Sequence, residues 1–234
     1  MPLVTAIFGQ GIYSPRQAAR LIGTTPAEIL RWTRGSGPTE PLWHAHYQGI
    51  DDTTELSFYD LIEVRVVKAL RRAGVSLQAV RFAINYARDK FGVSHPLATL
   101  RFKTDGQEIL AEALEQDGDL VSLSAKRPGQ KVFSKIVDQS LNDLEFDNGE
   151  VVLWRPKRTT HIIIDPKRSF GTPILEDFGV STQTLYNELS SYRDITRLAK
   201  AYEIPKALVA EAISFESRLE EQAKSADGQS PIRS

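Results

Sequence analysis

Apolar positions in the first ninety residues recur at helical spacing and are interrupted by strong punctuation. Ser14-Pro15-Arg16-Gln17 joins a capping serine, a proline suited to a first helical turn and a glutamine at the capping-box position, which predicts a helix from Pro15. Ala18, Ala19, Leu21 and Ile22 form its apolar side and Gly23 stops it. Thr25-Pro26-Ala27-Glu28 repeats the start signal, opening a second short helix through Thr33 that ends near Arg34-Gly35. Two short helices across a tight Gly-containing turn predict a helix-turn-helix. On the second helix Pro26, Ile29, Leu30 and Thr33 share one side, and Ala27, Glu28 and Arg31 the other. Trp32 lies at the stripe edge and is expected to pack against the elements that follow.

Leu42 to Tyr47 is strand-like, Gly49-Ile50-Asp51-Asp52 is turn-rich and Glu55-Leu56 is a short return, so a hairpin, or wing, is expected here. Ser57 caps a helix through Ala73, with Gly74 as stop; Ser76 caps another through Phe91, with Gly92 as stop. From Thr99 to Trp154 the period changes. Leu100-Arg101-Phe102, Leu120 to Leu123, Gly129 to Phe133 and Val151 to Trp154 are strand candidates, with a turn at Asp105-Gly106; helical pattern persists at Gln107 to Leu114 and Ser134 to Leu144. After the polar, basic stretch Arg155 to Thr160 come a strand, His161 to Ile164, a turn at Asp165-Pro166, and a loop through Gly171-Thr172-Pro173. Helices follow at Thr182 to Leu189, Asp194 to Tyr202 and Pro205 to about Glu221, the last two at helix-turn-helix spacing.

The fold class expected is therefore α+β: an N-terminal winged helix-turn-helix over 1–92, a mixed sheet with helices over 93–158, a trihelical module over 159–222 and a disordered tail over 223–234. Charge sharpens that division. Residues 1–92 hold 11 Lys/Arg against 8 Asp/Glu, and the remainder 18 against 22, which suits a DNA reader joined to a module with another partner. Absence of cysteine removes disulfides, thiolate zinc and thiol nucleophiles. With no apolar run of membrane length and no secretory start, a cytoplasmic protein without membrane contact is expected.

The order helix, turn, helix, hairpin, helix, Ala73-Gly74-Val75-Ser76-Leu77, helix resembles the MerR and excisionase type of winged helix over about the first forty per cent of the chain. Thr25 to Arg34, with Ile29-Leu30-Arg31-Trp32, is similar to the excisionase recognition helix; Leu56 to Val80, with Phe58-Tyr59-Asp60-Leu61, is similar to the MerR segment from wing to fourth helix. No long dimerisation helix or metal-sensing cysteine follows, so the resemblance implies DNA binding alone. His161 to Glu216 resembles the antitoxin-associated domain of unknown function 433 through Ile164-Asp165-Pro166, Gly171-Thr172-Pro173 and Tyr202-Glu203-Ile204-Pro205. It departs where Leu175 to Gly179 replaces the family's Gly-Thr-Arg. Together the two modules are similar to VapB-type antitoxins. That resemblance implies a homodimer that represses its own operator and neutralises a PIN-like, VapC-type ribonuclease toxin, with no enzymatic activity and no cofactor. The alternative is a MerR-like transcription regulator whose middle and C-terminal parts sense a small molecule.

Within this frame the candidate DNA-binding residues are Arg16, Thr25, Ala27, Glu28, Arg31, Arg34, His44, Arg65, Lys68 and Arg72. Arg31 is the long donor on the outer side of the second helix, suited to guanine O6 and N7, with Glu28 as an acceptor for cytosine. Arg65, Lys68 and Arg72 fall at i, i+3 and i+7, a stripe suited to phosphates whose bland reading is a solvated helix face. Arg155, Lys157, Arg158 and the tail residue Arg233 are the candidate toxin contacts. His44 and His46 alternate on one side of a strand without a third ligand, so no metal is expected. His95, His161 and Asp165 read as structural.

Overall fold

The structure, a computed structural model, describes residues 9–116 and 130–228. Helix α1 (Pro15–Ile22) opens on the Ser14/Gln17 capping box and ends at Gly23; α2 (Pro26–Arg34) is capped by the Thr25 hydroxyl, which accepts from the Glu28 amide at 3.2 Å. Ile29, Trp32 and Thr33 are buried while Ala27 and Arg31 are exposed, the division that the period implied. Two longer helices follow, α3 (Phe58–Arg72) and α4 (Leu77–Phe91), each capped by the predicted serine.

The expected hairpin does not form. Leu42–Tyr47 has no ladder partner and leads into a one-turn helix, Gln48–Asp51, while Leu56 bridges Tyr13 through paired backbone bonds of 2.9 Å. The cause is competition for the segment's donors. The Leu42 amide binds the Trp32 carbonyl at 2.7 Å, and Asp60 accepts the His46 amide at 3.0 Å and Trp43 Nε1 at 2.9 Å. Apolar side chains at 42, 43, 45 and 47 are buried without a strand being needed.

Two other strand candidates are helical. Leu100–Phe102 begins α5 (Leu100–Gln116), whose first turn is capped by Thr99 Oγ1 accepting from the Phe102 amide at 3.1 Å. Phe102, Ile109, Leu110 and Ala113 are its buried stripe, and Gly106 lies within it under the Phe102 ring rather than at a turn. Gln130–Phe133 opens α6 (Gln130–Leu141); Gly129 and Leu120–Leu123 lie outside the described residues. Strands β1 (Leu144–Asp147) and β2 (Glu150–Trp154) then pair as a hairpin, with a register irregularity at Glu145/Phe146. Its two turn residues, Asn148 and Gly149, both have positive φ (50° and 86°), as a two-residue hairpin turn requires. Leu144 was expected to close a helix and instead starts β1.

Trp154 bridges Ile164, leading to the short antiparallel pair β3 (Ile162–Ile163) and β4 (Ile174–Leu175). Helices α7 (Thr182–Tyr192), α8 (Ile195–Tyr202) and α9 (Lys206–Gly228) complete the described residues; α9 runs through 223–228, where a disordered tail was expected to begin. The architecture is mixed helical with two small antiparallel sheets, α+β in outline. One hydrophobic cluster takes in residues from Tyr13 to Ile164, joining α3 and α4 to α5, α6 and β1–β2. A second is built from α7, α8 and α9 with Ile162 and Leu175, and Leu21 on α1 packs against both. No helix among the described residues is long and apolar enough to cross a membrane.

Candidate nucleic-acid interface

The outer side of α2 carries Ala27 and Arg31 in solvent, with Glu28 half-buried beside them. Arg31 Nη2 is 3.8 Å from Glu28 Oε1, and the other Glu28 oxygen accepts from Thr24 Oγ1 at 2.5 Å. Glu28 is thus held by the turn that precedes it, and Arg31 keeps a loose, exposed partner. Arg16 is exposed in the first turn of α1 and Thr25 spends its hydroxyl on capping α2. Arg34 is turned to its own scaffold: Nη2 meets Asp52 Oδ1 at 2.7 Å and Nη1 meets the carbonyls of Asp52 and Thr53. His44 is exposed on the irregular segment after α2.

Arg65, Lys68 and Arg72 do not form one solvent-facing stripe. Arg65 is 13% exposed; its Nη2 lies 2.6 Å from Asp143 Oδ1, and its guanidinium sits 4.6 Å from the Trp154 ring centre. Trp154 Nε1 donates to the same carboxylate at 3.1 Å. Burial lowers the Arg65 pKa, which the Asp143 charge opposes. Lys68 donates Nζ to the carbonyls of Ile22 and Gly23, closing the end of α1, and burial with the nearby Arg72 charge pulls its pKa down to about 8. Arg72 alone of the three is exposed. Sequence spacing places them on one helix side; what the neighbouring elements offer that side is a tertiary matter.

In the expected toxin-facing group Arg155 is paired twice, to Glu145 Oε1 at 2.5 Å and to both oxygens of Glu176 at 2.5 and 2.8 Å. Lys157 donates to the Gln139 carbonyl, Arg158 is exposed, and Arg233 lies outside the described residues. His161 was read as structural, and its Nδ1 lies 2.9 Å from Glu211 Oε2, tying β3 to α9.

Two polar clusters have no distinguishing signal in the sequence. Asp60, three residues after the capping Ser57, is fully buried and accepts from Ser57, His46 and Trp43, with His95 Nε2 at 3.1 Å. Glu216 on α9 is also buried, accepting from Thr182 Oγ1 and lying 2.6 Å from Arg20 Nη1 on α1. No helical period could have announced a pair 196 positions apart.

No family model matches the chain. It is 28% identical over 214 residues to a curated protein of Mycobacterium tuberculosis (strain ATCC 25618 / H37Rv) named "Putative antitoxin VapB45", covering 83% of this chain and 89% of that one. It is also similar to the crystal structure of Rv2018 from Mycobacterium tuberculosis, with a TM-score of 0.69 and 25% identity over 88% of this chain and 99% of that chain.

Proposed function

We propose that this chain is the antitoxin of a toxin–antitoxin pair, a non-enzymatic regulator that binds operator DNA as a homodimer and neutralises a PIN-like ribonuclease. The observation that carries the reading is the likeness to a named antitoxin across nearly the whole length of both chains, since a shared module alone would match only a part. DNA binding is supported by α1 and α2, two capped short helices across a tight turn, with Arg31 and Ala27 exposed on the second. In this reading α2 enters the major groove, Arg31 reads a base, and Arg16 and Arg72, both exposed, meet phosphates. The C-terminal helices and the basic stretch 155–158 hold the toxin.

The test is co-expression of the full chain with the product of the adjacent open reading frame. Growth rescue together with co-purification is the expected outcome. Failure of both, with a folded protein, would overturn the antitoxin reading. Anisotropy on the promoter-proximal duplex tests the DNA half separately.

A further inference from the structure

A cleft of about 530 Å3 opens between the irregular segment after α2 and helix α4. From α4, Arg81, Asn85 and Arg88 line it at i, i+4 and i+7, a single helical side. Trp43 and His44 line the segment's wall, and His95 contributes from the loop after α4. Arg81 Nη2 donates to the Glu40 carbonyl at 2.7 Å, joining the two walls, and Arg88 Nη1 donates to Asn85 Oδ1 at 3.0 Å.

Two of these groups are fixed from behind by one carboxylate. Asp60 is wholly buried; its Oδ1 accepts Trp43 Nε1 at 2.9 Å and lies 3.1 Å from His95 Nε2. The His95 ring also stacks on Tyr59, with centres 5.6 Å apart. With Nε2 committed to Asp60, Nδ1 is the ring nitrogen left for a ligand, and it donates when the ring is protonated, the form that Asp60 favours. Among the lining residues Glu40 offsets one of the two guanidinium charges; behind the wall Asp60 faces His95, and Glu63, its ionisation opposed by burial, faces His95 and Arg88, so the guanidiniums leave a small positive balance suited to a single anionic group.

We propose that this cleft binds a compact oxyanion, a phosphate or carboxylate group, held by the guanidiniums of Arg81 and Arg88 with His95 beneath. Guanidinium recognises such groups through paired, charge-assisted hydrogen bonds, and side chains already locked by neighbours lose little freedom on binding. The oxyanion belongs either to a free small molecule or to the backbone of a DNA duplex. The site does not depend on the functional reading above.

The test uses the full chain labelled with 15N, the Trp43 indole signal being assigned through Trp43→Phe. Inorganic phosphate is titrated at pH 7 with ionic strength held constant by chloride. The expected result is a saturable shift of the Trp43 indole and His95 signals, with affinity weakened at least about tenfold in Arg88→Gln, the loss of one charge-assisted hydrogen bond. Arg81→Gln is the second variant, and Arg88→Lys should retain part of the binding. A shift that never saturates, or one unchanged in both Gln variants, means an adventitious ion only and overturns the proposal. Repeating the titration with a saturating duplex separates the two sources. Loss of phosphate binding assigns the site to the DNA backbone, and an unchanged curve assigns it to a small molecule.

Discussion

Glu63 on α3 sits fully buried with Oε1 accepting the Leu97 amide at 2.9 Å, and burial lifts its pKa to about 7 against the charges of His95 and Arg88. The folded state therefore holds a proton that the unfolded chain releases near its ordinary value of 4.5, so the Glu63 contribution to stability is full below that value and is lost as pH rises to about 7. His95, whose pKa is raised beside Asp60, adds a loss in the same direction at higher pH. Asp60 is shifted down and acts only below its own ordinary range. Urea unfolding should show a decline of about 3 kcal/mol between those pH limits, and Glu63→Gln should flatten most of it. An unchanged slope would show that Glu63 stays ionised when folded. Arg31, 48% exposed by side chain, carries a functional expectation instead. Arg31→Ala should reduce the preference for operator over scrambled duplex by about 1–3 kcal/mol in fluorescence anisotropy. Equal loss on both duplexes would make it a positioning contact.

Two connections between elements hold local geometry that the helices alone do not set. Lys68 of α3 reaches across to the last carbonyls of α1, where a cation also meets the negative end of the helix dipole. Lys68→Met keeps the stem and removes those bonds, with an expected loss of about 1–3 kcal/mol in urea unfolding. If the melting curve is unmoved, the ammonium is solvated in solution. In the loop before β4, Gly171 has φ +82°, and a Cβ there would stand 2.0 Å from Tyr13 Oη and 2.7 Å from its Cζ. Tyr13 also donates its hydroxyl to the Gly171 carbonyl at 3.0 Å. Gly171→Ala should cost about 2–4 kcal/mol from the clash and the left-handed backbone together, with partial recovery when Tyr13→Phe removes the nearest atom. A cost below 1 kcal/mol would mean the loop can move away.

Across the whole molecule α1 meets α9. Arg20 on α1 reaches Glu216 on α9, Gln183 on α7 and the Glu216 carbonyl, and Leu21 beside it packs against both hydrophobic clusters. The two partners are unequally placed: the Glu216 side chain is 1% exposed and that of Arg20 is 21%. Removing Arg20 strands a carboxylate away from water, whereas removing Glu216 leaves a guanidinium that solvent can reach. Arg20→Ala should cost about 3–5 kcal/mol and Glu216→Ala clearly less, read from urea midpoints at pH 7. Equal costs would place water at the carboxylate. The same joint ties the proposed DNA-reading helices to the proposed toxin-binding ones.

What lies within a few residues of itself the sequence determined alone. Ser14, Thr25, Ser57, Ser76 and Asp194 each cap the predicted helix because a capping side chain bonds amides two or three positions on and needs no distant partner. The exposed side of α2 is legible for the same reason; Asn148-Gly149 carries an equally local turn signal that was no part of the expectation, because helical spacing in Ser134 to Leu144 obscures the strand before it. Where a donor or a charge chooses between distant partners, only the tertiary structure decided. Leu42–Tyr47 has the apolar content of a strand, but Trp32 and Asp60 claim its donors. Phe102 heads a helix because Thr99 and the buried stripe to Ala113 outweigh an Asp-Gly turn signal. Arg65 and Lys68 share a helix side with Arg72, yet a carboxylate, an indole and two carbonyls meet the first two at sequence separations of about 45 to 90. A long basic side chain goes wherever the fold sets an acceptor, and that acceptor has no local signature.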